Sequence, residues 1–598
     1  MISKGEKQAL SKGEKKSLRI SEKKSLSIEK KLRKKVDDRI RCSVARDSIH
    51  LNGYANSWDD VVRAGYIAAH SSFREVINDI FFEQKCQKIQ LKVNESTRVE
   101  SDVVIVGAGI VGCAIARELS KYNLNISLLE KEYDVGIHAS SRNDGMVHPG
   151  IASKSGSLKV KMNIRGVELY KTISQELGVP IRWCGSTILF ESHLSKCLKP
   201  FFRYKARKIG MSGLKFLNHK QVYEREPHLK SGVKWAVLCE DSGVTSPYKM
   251  TIAYAENAVV NGVDLYLNTE VAQIEVLNEP MLVSELKKTE SGNYRFAVHT
   301  TQGTFLTRMI INAAGVHADE IAELVDDRFY TIHPRKGDVV LFDKKKSALV
   351  YGILGYMKDR SSKNTKGGGI IKTYEGNILV GPNAIEIPER ENYETTRESL
   401  EALLNQKLHQ IPALKRDDDI TYFTGIRAAT YKEDFIIEAS KKVVNFIHVA
   451  GIQSPGFASA PAIAERVENL VKQGLFDHDD LTLTFKQPWL RNRTPIPNLA
   501  EMTSLERSKW IEKRPDYGDL ICRCEEISRG EIIDALSGPI PVATIDGIKR
   551  RVRAGMGRCQ GGFCMPLVME IIHEVNQIPM TEITQKSGAS VIVKQLTK

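Results

Sequence analysis

No run of this 598-residue chain is long and apolar enough to cross a bilayer. The longest apolar stretch, Val103–Ala116, has 14 residues and is broken by Gly107, Gly109 and Gly112, against the roughly 20 that a span requires. No apolar h-region follows the basic N-terminus within the first 40 positions, so a secretory signal is not expected and the chain reads as cytoplasmic. Aromatic residues are scarce at 7%, and 43 Gly and 20 Pro exclude collagen-like and mucin-like chains. Cysteine is sparse too. Ten residues in a long chain outside the secretory route read as thiols or metal ligands, not as a disulfide framework. What is present is a 42% hydrophobic composition in a chain too long for one core, so about two to four folded domains are expected.

The net charge of +14 raises the question of nucleic acid, but its distribution answers against it. Residues 1–41 hold 15 Lys/Arg and 6 Asp/Glu, a net of +9, leaving +5 for the other 557 residues. The basic segment repeats with a period of eight: SKGEKQAL (Ser3–Leu10), SKGEKKSL (Ser11–Leu18), RISEKKSL (Arg19–Leu26) and a partial copy through Leu32. One Leu per eight residues builds no buried face at helical pitch, so residues 1–35 read as a solvated helix or a disordered extension. Docking to an acidic partner or a membrane surface is the second reading.

From Val36 the pattern turns strand-like (VDDRIRCSVA, DSIHLNGYA), then helical from Trp58 to His70, then closes with FREVINDIFFE. Residues 36–84 therefore read as a small α+β module. Ile49–Leu51–Gly53 before the helix and Val76–Asn78–Ile80 after it resemble the BON domain, which implies an interaction role. His50 and His70 stand alone and read as structural.

DVVIV (Asp102–Val106) reads as a buried parallel strand running into Gly107-Ala-Gly109-Ile-Val-Gly112 and a helical CAIARELSKY. The first glycine permits the tight turn, the second lets backbone approach a pyrophosphate, and the third allows close helix–strand packing at an anion-binding helix N-terminus. Glu130, with Lys131 beside it, ends the next strand 18 residues past Gly112, where a carboxylate accepts from ribose hydroxyls. This reads as a dinucleotide site, with a glycine turn that holds no ligand as the alternative.

The stretch Ala139-Ser140-Ser141-Arg-Asn-Asp-Gly-Met-Val-His148-Pro-Gly resembles the second motif of the D-amino-acid-oxidase-like flavoproteins. In that family small hydroxyl residues line the pyrophosphate and flavin. Val271 in NTEVAQIE and Ala313-Ala314-Gly315 match further stations of the family, and Gly451-Ile-Gln-Ser-Pro-Gly456-Phe457 opens a helix whose N-terminus would face the flavin. A helix N-terminus there stabilises the negative charge of the reduced ring. The resemblance covers residues 101–475 and implies FAD. It also implies a Rossmann-type FAD-binding domain with an interleaved antiparallel-sheet substrate domain.

At the other end Cys522-Arg-Cys524 and Cys559-Gln-Gly-Gly-Phe-Cys564 place four thiols within 43 residues. Four thiolates suit a [2Fe–2S] cluster or tetrahedral Zn²⁺, and an empty structural thiol set is the third reading. The C-x-C…C-x4-C pattern resembles the bacterioferritin-associated-ferredoxin-like [2Fe–2S] domain, in the form fused to flavoprotein dehydrogenases. Arg523, Arg551, Arg553 and Arg558 are expected to offset the charge of such a cluster. The chain divides as an extension (1–35), a BON-like module (36–84), an oxidoreductase (101–475), a linker (476–516), a small helical cluster domain (517–580) and a tail (581–598).

A flavin takes two electrons and an iron–sulfur cluster passes one, so their fusion implies a dehydrogenase wired to an electron-accepting oxidoreductase subunit. Through SRNDGMVHPGI, HPRKGDVV, HVAGIQSPGF and RAGMGRCQGGFC, residues 101–598 resemble the anaerobic glycerol-3-phosphate dehydrogenase A-subunit family. That resemblance implies hydride transfer from sn-glycerol 3-phosphate to FAD, giving dihydroxyacetone phosphate, with peripheral membrane association through partners left open. The first stretch also resembles the L-2-hydroxyglutarate dehydrogenases, so a 2-hydroxy acid is the alternative substrate. An electron-transfer or assembly subunit is the alternative from another class.

Either substrate is a small anionic hydroxy compound and needs a cation and a base. Arg427, in Thr424-Gly-Ile-Arg427, matches the family's substrate arginine and otherwise reads as a surface ion pair. His148 is the candidate base and otherwise a structural histidine. Arg335 and Lys336, in an HPRKGD turn, would add positive potential or serve the turn itself.

Overall fold

The computed structural model describes residues 12–45, 47–83, 91–94, 97–277, 294–356 and 368–595. The first copy of the octapeptide repeat lies outside them. Among the described residues no helix is long and apolar enough to cross a membrane.

Helix α1 (Lys12–Lys35) carries the repeats from Lys12 onward. Leu26 is exposed, as one leucine per eight residues predicts, but Leu32 is fully buried. It joins Ile40, Ile49, Leu51, Val61 and Val76 in the core of the next unit. That unit has strands β1 (Arg41–Ala45) and β2 (Ser48–Asn52), helix α2 (Trp58–Ala69) and strand β3 (Val76–Asn78). β1 and β2 pair antiparallel, and β2 and β3 pair parallel. The Ser57 hydroxyl caps α2 by accepting the Asp60 N–H at 3.2 Å.

The central sheet is built on β4 (Arg98–Val106), which is followed by α3 (Ile110–Leu119) and β5 (Ile126–Leu129). β5 and the returning strand β6 (Val263–Tyr266) pair parallel, as do β4 and β5. On the other side β4 pairs parallel with β7 (Thr304–Asn312). Buried on both faces, DVVIV reads as a continuous apolar run for the reason expected of an interior parallel strand.

The second large sheet has nine strands and is antiparallel except where Ile353–Tyr356 runs parallel to Ser186–Phe190. Its longest pairing joins β8 (Ile332–Phe342) to β9 (Asp419–Thr430), placing Arg335 opposite Arg427 and Gly337 opposite Gly425. HPRKGD is thus the middle of an eleven-residue strand, not a turn. Its charged residues are buried because partners remote in sequence meet them. Asp338, for example, accepts from Thr424, Ser399 and Asn383.

Helix α4 (Leu158–Glu176) and the last large helix of the oxidoreductase, α5 (Gly456–Asp479), pack together against the central sheet. The segment after α5 is pinned across that body. Trp489 donates to Ser120 at 3.2 Å, and the Leu490 carbonyl accepts from Asn257 and Asn261 at 3.0 and 2.9 Å. Beyond it, three helices, α6 (Arg529–Ser537), α7 (Ile545–Val552) and α8 (Met565–Asn576), enclose a separate small core.

Candidate active site and thiol centre

A single continuous cavity of about 2520 Å³ runs from the glycine turn to the antiparallel sheet. At one end Gly107 turns at φ +101°, and a Cβ there would stand 2.7 Å from the Ala313 carbonyl oxygen. A Cβ on Gly112 would stand 1.9 Å from the Gly107 oxygen, so that glycine serves helix–strand packing and does not line the cavity. Gly109 does line it, and the Ile110 N–H at the start of α3 donates to Ser140 Oγ at 2.8 Å. Ser140 therefore sits where the helix N-terminus attracts an anion.

Glu130 is buried, and its carboxylate accepts the Ala108 and Glu132 N–H groups at 2.8 and 3.1 Å. Burial pushes its pKa up against those bonds. Lys131 lines the same region and pairs with Glu391. Val271, Ala314 and Gly315 form the facing wall, and Gly456 and Phe457 present the open N-terminus of α5. Ser141 and Gly451 lie off the cavity. Three cavity-lining hydroxyls, Ser153 Oγ, Thr187 Oγ1 and Tyr356 OH, are buried without a hydrogen-bond partner. The glycine turn, the start of α3 beside Ser140 and the open N-terminus of α5 are what fit FAD, whereas Thr187 and Tyr356 stand on the antiparallel sheet at the other end of the cavity.

At the sheet end the cavity meets His148 and Arg427. His148 is held through its carbonyl by Asn163 at 2.7 Å, and its Nε2 faces Ser454 Oγ at 3.3 Å. Arg427 is half-buried in the cavity wall, and both terminal nitrogens donate to the Asn383 carbonyl at 3.1 Å. Gly337 makes room for it, since a Cβ there would lie 2.7 Å from Arg427 Nη2. Burial, and then Arg335 on the neighbouring strand, push the Arg427 pKa down to about 10. A guanidinium in that state gains most from an anion in the cavity.

Arg335 and Lys336 do not share that state. Arg335 is spent on Glu386 at 2.7 Å, Glu433 at 2.6 Å and Gln453 at 3.2 Å. Lys336, on the opposite face of β8, donates to the Glu394 carbonyl at 2.7 Å and does not line the cavity. Strand alternation separates the two neighbours.

Sequence reasoning missed Lys159, Glu433 and Gln453, all on the cavity wall. Lys159 is buried in the first turn of α4, and burial lowers its pKa against the pull of Glu433 and Asp434. A cation there opposes the helix dipole, and that was the signal available in the sequence.

In the C-terminal domain the four thiols lie as two neighbouring pairs. Cys524 and Cys559 Sγ lie 3.4 Å apart, and Cys522 and Cys564 are buried beside them. A hydrogen bond from Cys564 pushes the Cys522 pKa down to about 6, while that of Cys564 is raised. The thiols thus form two pairs, Cys522–Cys564 and Cys524–Cys559, each with one member lowered and one raised.

The expected charge-balancing arginines divide. Arg550 and Arg551 both pair with the fully buried Asp134, at 2.6 and 2.8 Å, and Arg553 bonds Glu525 and Tyr248. They dock the domain. Arg523 stays exposed, and Arg558 lies 3.6 Å from Asp343. Asp134 follows Glu130 by four residues, so the docking point is on the loop leaving the ribose site.

Residues 102–470 match the family described as FAD dependent oxidoreductase, and residues 520–574 match the BFD-like [2Fe-2S] binding domain. A glycerol 3-phosphate dehydrogenase of Caloramator mitchellensis is 37% identical over 498 residues, which are 83% of this chain and 99% of that one. The mitochondrial L-2-hydroxyglutarate dehydrogenase of Homo sapiens is 28% identical over 63% of this chain and 81% of its own. Among solved structures, the dithionite-reduced L-alpha-glycerophosphate oxidase of Mycoplasma pneumoniae with FAD bound has a TM-score of 0.58 at 25% identity. It covers 66% of this chain and 98% of its own.

Proposed function

The chain belongs to the FAD dependent oxidoreductase family and carries a [2Fe–2S] domain at its C-terminal end, and from that premise we propose that it is a dehydrogenase of sn-glycerol 3-phosphate. The product is dihydroxyacetone phosphate, and the electrons leave through the C-terminal cluster to an acceptor protein. FAD, when bound, supplies the two-electron acceptance that the alcohol oxidation requires.

The observation that carries the reading is Arg427, a half-buried guanidinium on the cavity wall that donates to the Asn383 carbonyl. It holds the phosphate. His148 Nε2, which faces Ser454, takes the proton of the substrate hydroxyl. The 37% identity to a glycerol 3-phosphate dehydrogenase of Caloramator mitchellensis supports glycerol 3-phosphate. L-2-Hydroxyglutarate is the second reading, because a guanidinium fork also grips a carboxylate and a dehydrogenase of that acid is among the relatives.

The N-terminal unit is read as BON-like from its strand–strand–helix–strand order. The nine described cysteines are all free, which supports a reducing, cytoplasmic setting. Arg427→Ala should weaken substrate binding by about 2–5 kcal/mol, roughly 30-fold to several thousand-fold in apparent affinity. Arg427→Lys should weaken it less. Anaerobic titration of flavin bleaching reads both, and an unchanged midpoint in both variants removes Arg427 from the site.

A further inference from the structure

The family match begins at residue 102, yet the cavity wall includes Trp58, Val61, Asn78, Ile80 and Phe82 from the N-terminal unit. We propose that this unit is a working wall of the substrate chamber, and that Tyr66 is a positioning residue that holds the Glu433–Arg335 pair beside Arg427. The inference rests on the anion-binding reading of Arg427.

The contact begins with a glycine. Gly65 in α2 lies directly under the ring of Tyr431, four residues past Arg427, and a Cβ there would stand 2.2 Å from the ring. With the helix that close, Asn78 donates to the Tyr431 hydroxyl at 2.9 Å, and Tyr431 stacks on His333 with centroids 4.4 Å apart. Tyr66, one residue on from Gly65, then reaches across the seam. Its hydroxyl donates to Glu433 at 2.6 Å and accepts from Arg335.

Two short links run from there into the site. Arg335 sits directly opposite Arg427 on paired strands, so the two guanidinium groups repel. Glu433 and Glu386 neutralise Arg335, which limits its repulsion of Arg427 and lets Arg427 meet an anionic ligand. On the other side Gln453 donates to Glu433 at 2.6 Å, and its neighbour Ser454 bonds His148. Tyr66 fixes the carboxylate on which both links depend.

The test uses the full-length holoenzyme with Tyr66→Phe, which keeps the ring and removes the hydroxyl, and with Glu433→Gln. Two affinities are read: that for glycerol 3-phosphate from flavin bleaching, and that for inorganic phosphate from the change it causes in the oxidised flavin spectrum. Tyr66→Phe should raise both dissociation constants about 3- to 10-fold, with the limiting bleaching rate moving by less than about 2-fold. Glu433→Gln should raise them at least as much.

Unchanged constants together with a lowered melting temperature would make Tyr66 merely structural and overturn the inference. So would a wild-type flavin that does not respond to phosphate. If wild-type flavin fails to bleach with glycerol 3-phosphate while phosphate binding still weakens in Tyr66→Phe, the substrate reading falls and the role of Tyr66 stands.

Discussion

The cluster domain and the N-terminal unit are fastened to the same oxidoreductase body by different chemistry. At the C-terminal seam two guanidinium groups converge on Asp134, whose side chain is fully buried and which meets Arg551 at 2.8 Å. At the N-terminal seam an aromatic ring lies on a glycine, and the ion pairs around it, such as Arg328–Asp79 at 2.7 Å, are partly solvated. Lys432 closes that seam by donating to the Ala69 and Ser71 carbonyls at 2.7 and 2.8 Å, a cation at a helix C-terminus. A buried ion pair fixes one geometry and is intolerant of losing a partner, whereas a packed aromatic face yields in small steps. Rigid docking suits a domain that must hold a cluster at a set distance from a flavin. A more graded seam suits a wall that shapes a chamber.

The largest effect should follow from Asp134→Ala, which strands two buried arginines and should cost about 3–5 kcal/mol at the C-terminal seam. Calorimetry should then resolve a separate, earlier transition for the cluster domain, with flavin bleaching by substrate retained. Gly65→Ala should do less, about 1–3 kcal/mol from overpacking against Tyr431. Its readout is faster limited proteolysis of the N-terminal unit, with the cluster domain undisturbed. If Gly65→Ala were the more damaging of the two, the contrast between the seams would be reversed.

The smallest effect concerns pH. Burial pushes Glu75, beside the N-terminal seam, up to about 8. A carboxyl raised on folding binds its proton more tightly in the folded state. Its contribution is therefore complete below its unfolded pKa near 4.5 and is lost as pH rises through about 8. Melting temperatures should fall across that window in the wild type and fall less in Glu75→Gln. A parallel decline in both would assign the dependence to other groups.

Much of the cofactor site was legible because its signals are local. Strand, glycine turn, helix and the acid at Glu130 follow one another within 30 residues, and the four cysteines fall in two short motifs. The antiparallel substrate sheet was less so. Pro334 and Gly337 read as turn residues, yet they occupy the middle of a strand whose charges are satisfied by Glu386, Glu394 and Glu433, about 50 to 100 residues away. Arg551 looked like a counter-charge for a cluster for the same reason, since its partner Asp134 is more than 400 residues away in sequence. The inward face of the N-terminal unit was invisible as well. Gly65 and Tyr66 acquire meaning only when Tyr431 and Glu433 are brought against them.

The most direct test of the electron route from flavin to cluster is an anaerobic titration followed by absorbance and electron paramagnetic resonance together, on wild type and Cys559→Ser. Glycerol 3-phosphate should bleach the flavin in both proteins and produce the signal of a reduced [2Fe–2S] cluster in the wild type alone. Bleaching by L-2-hydroxyglutarate and not by glycerol 3-phosphate would contradict the substrate, and bleached flavin with no cluster signal in the wild type would contradict the route.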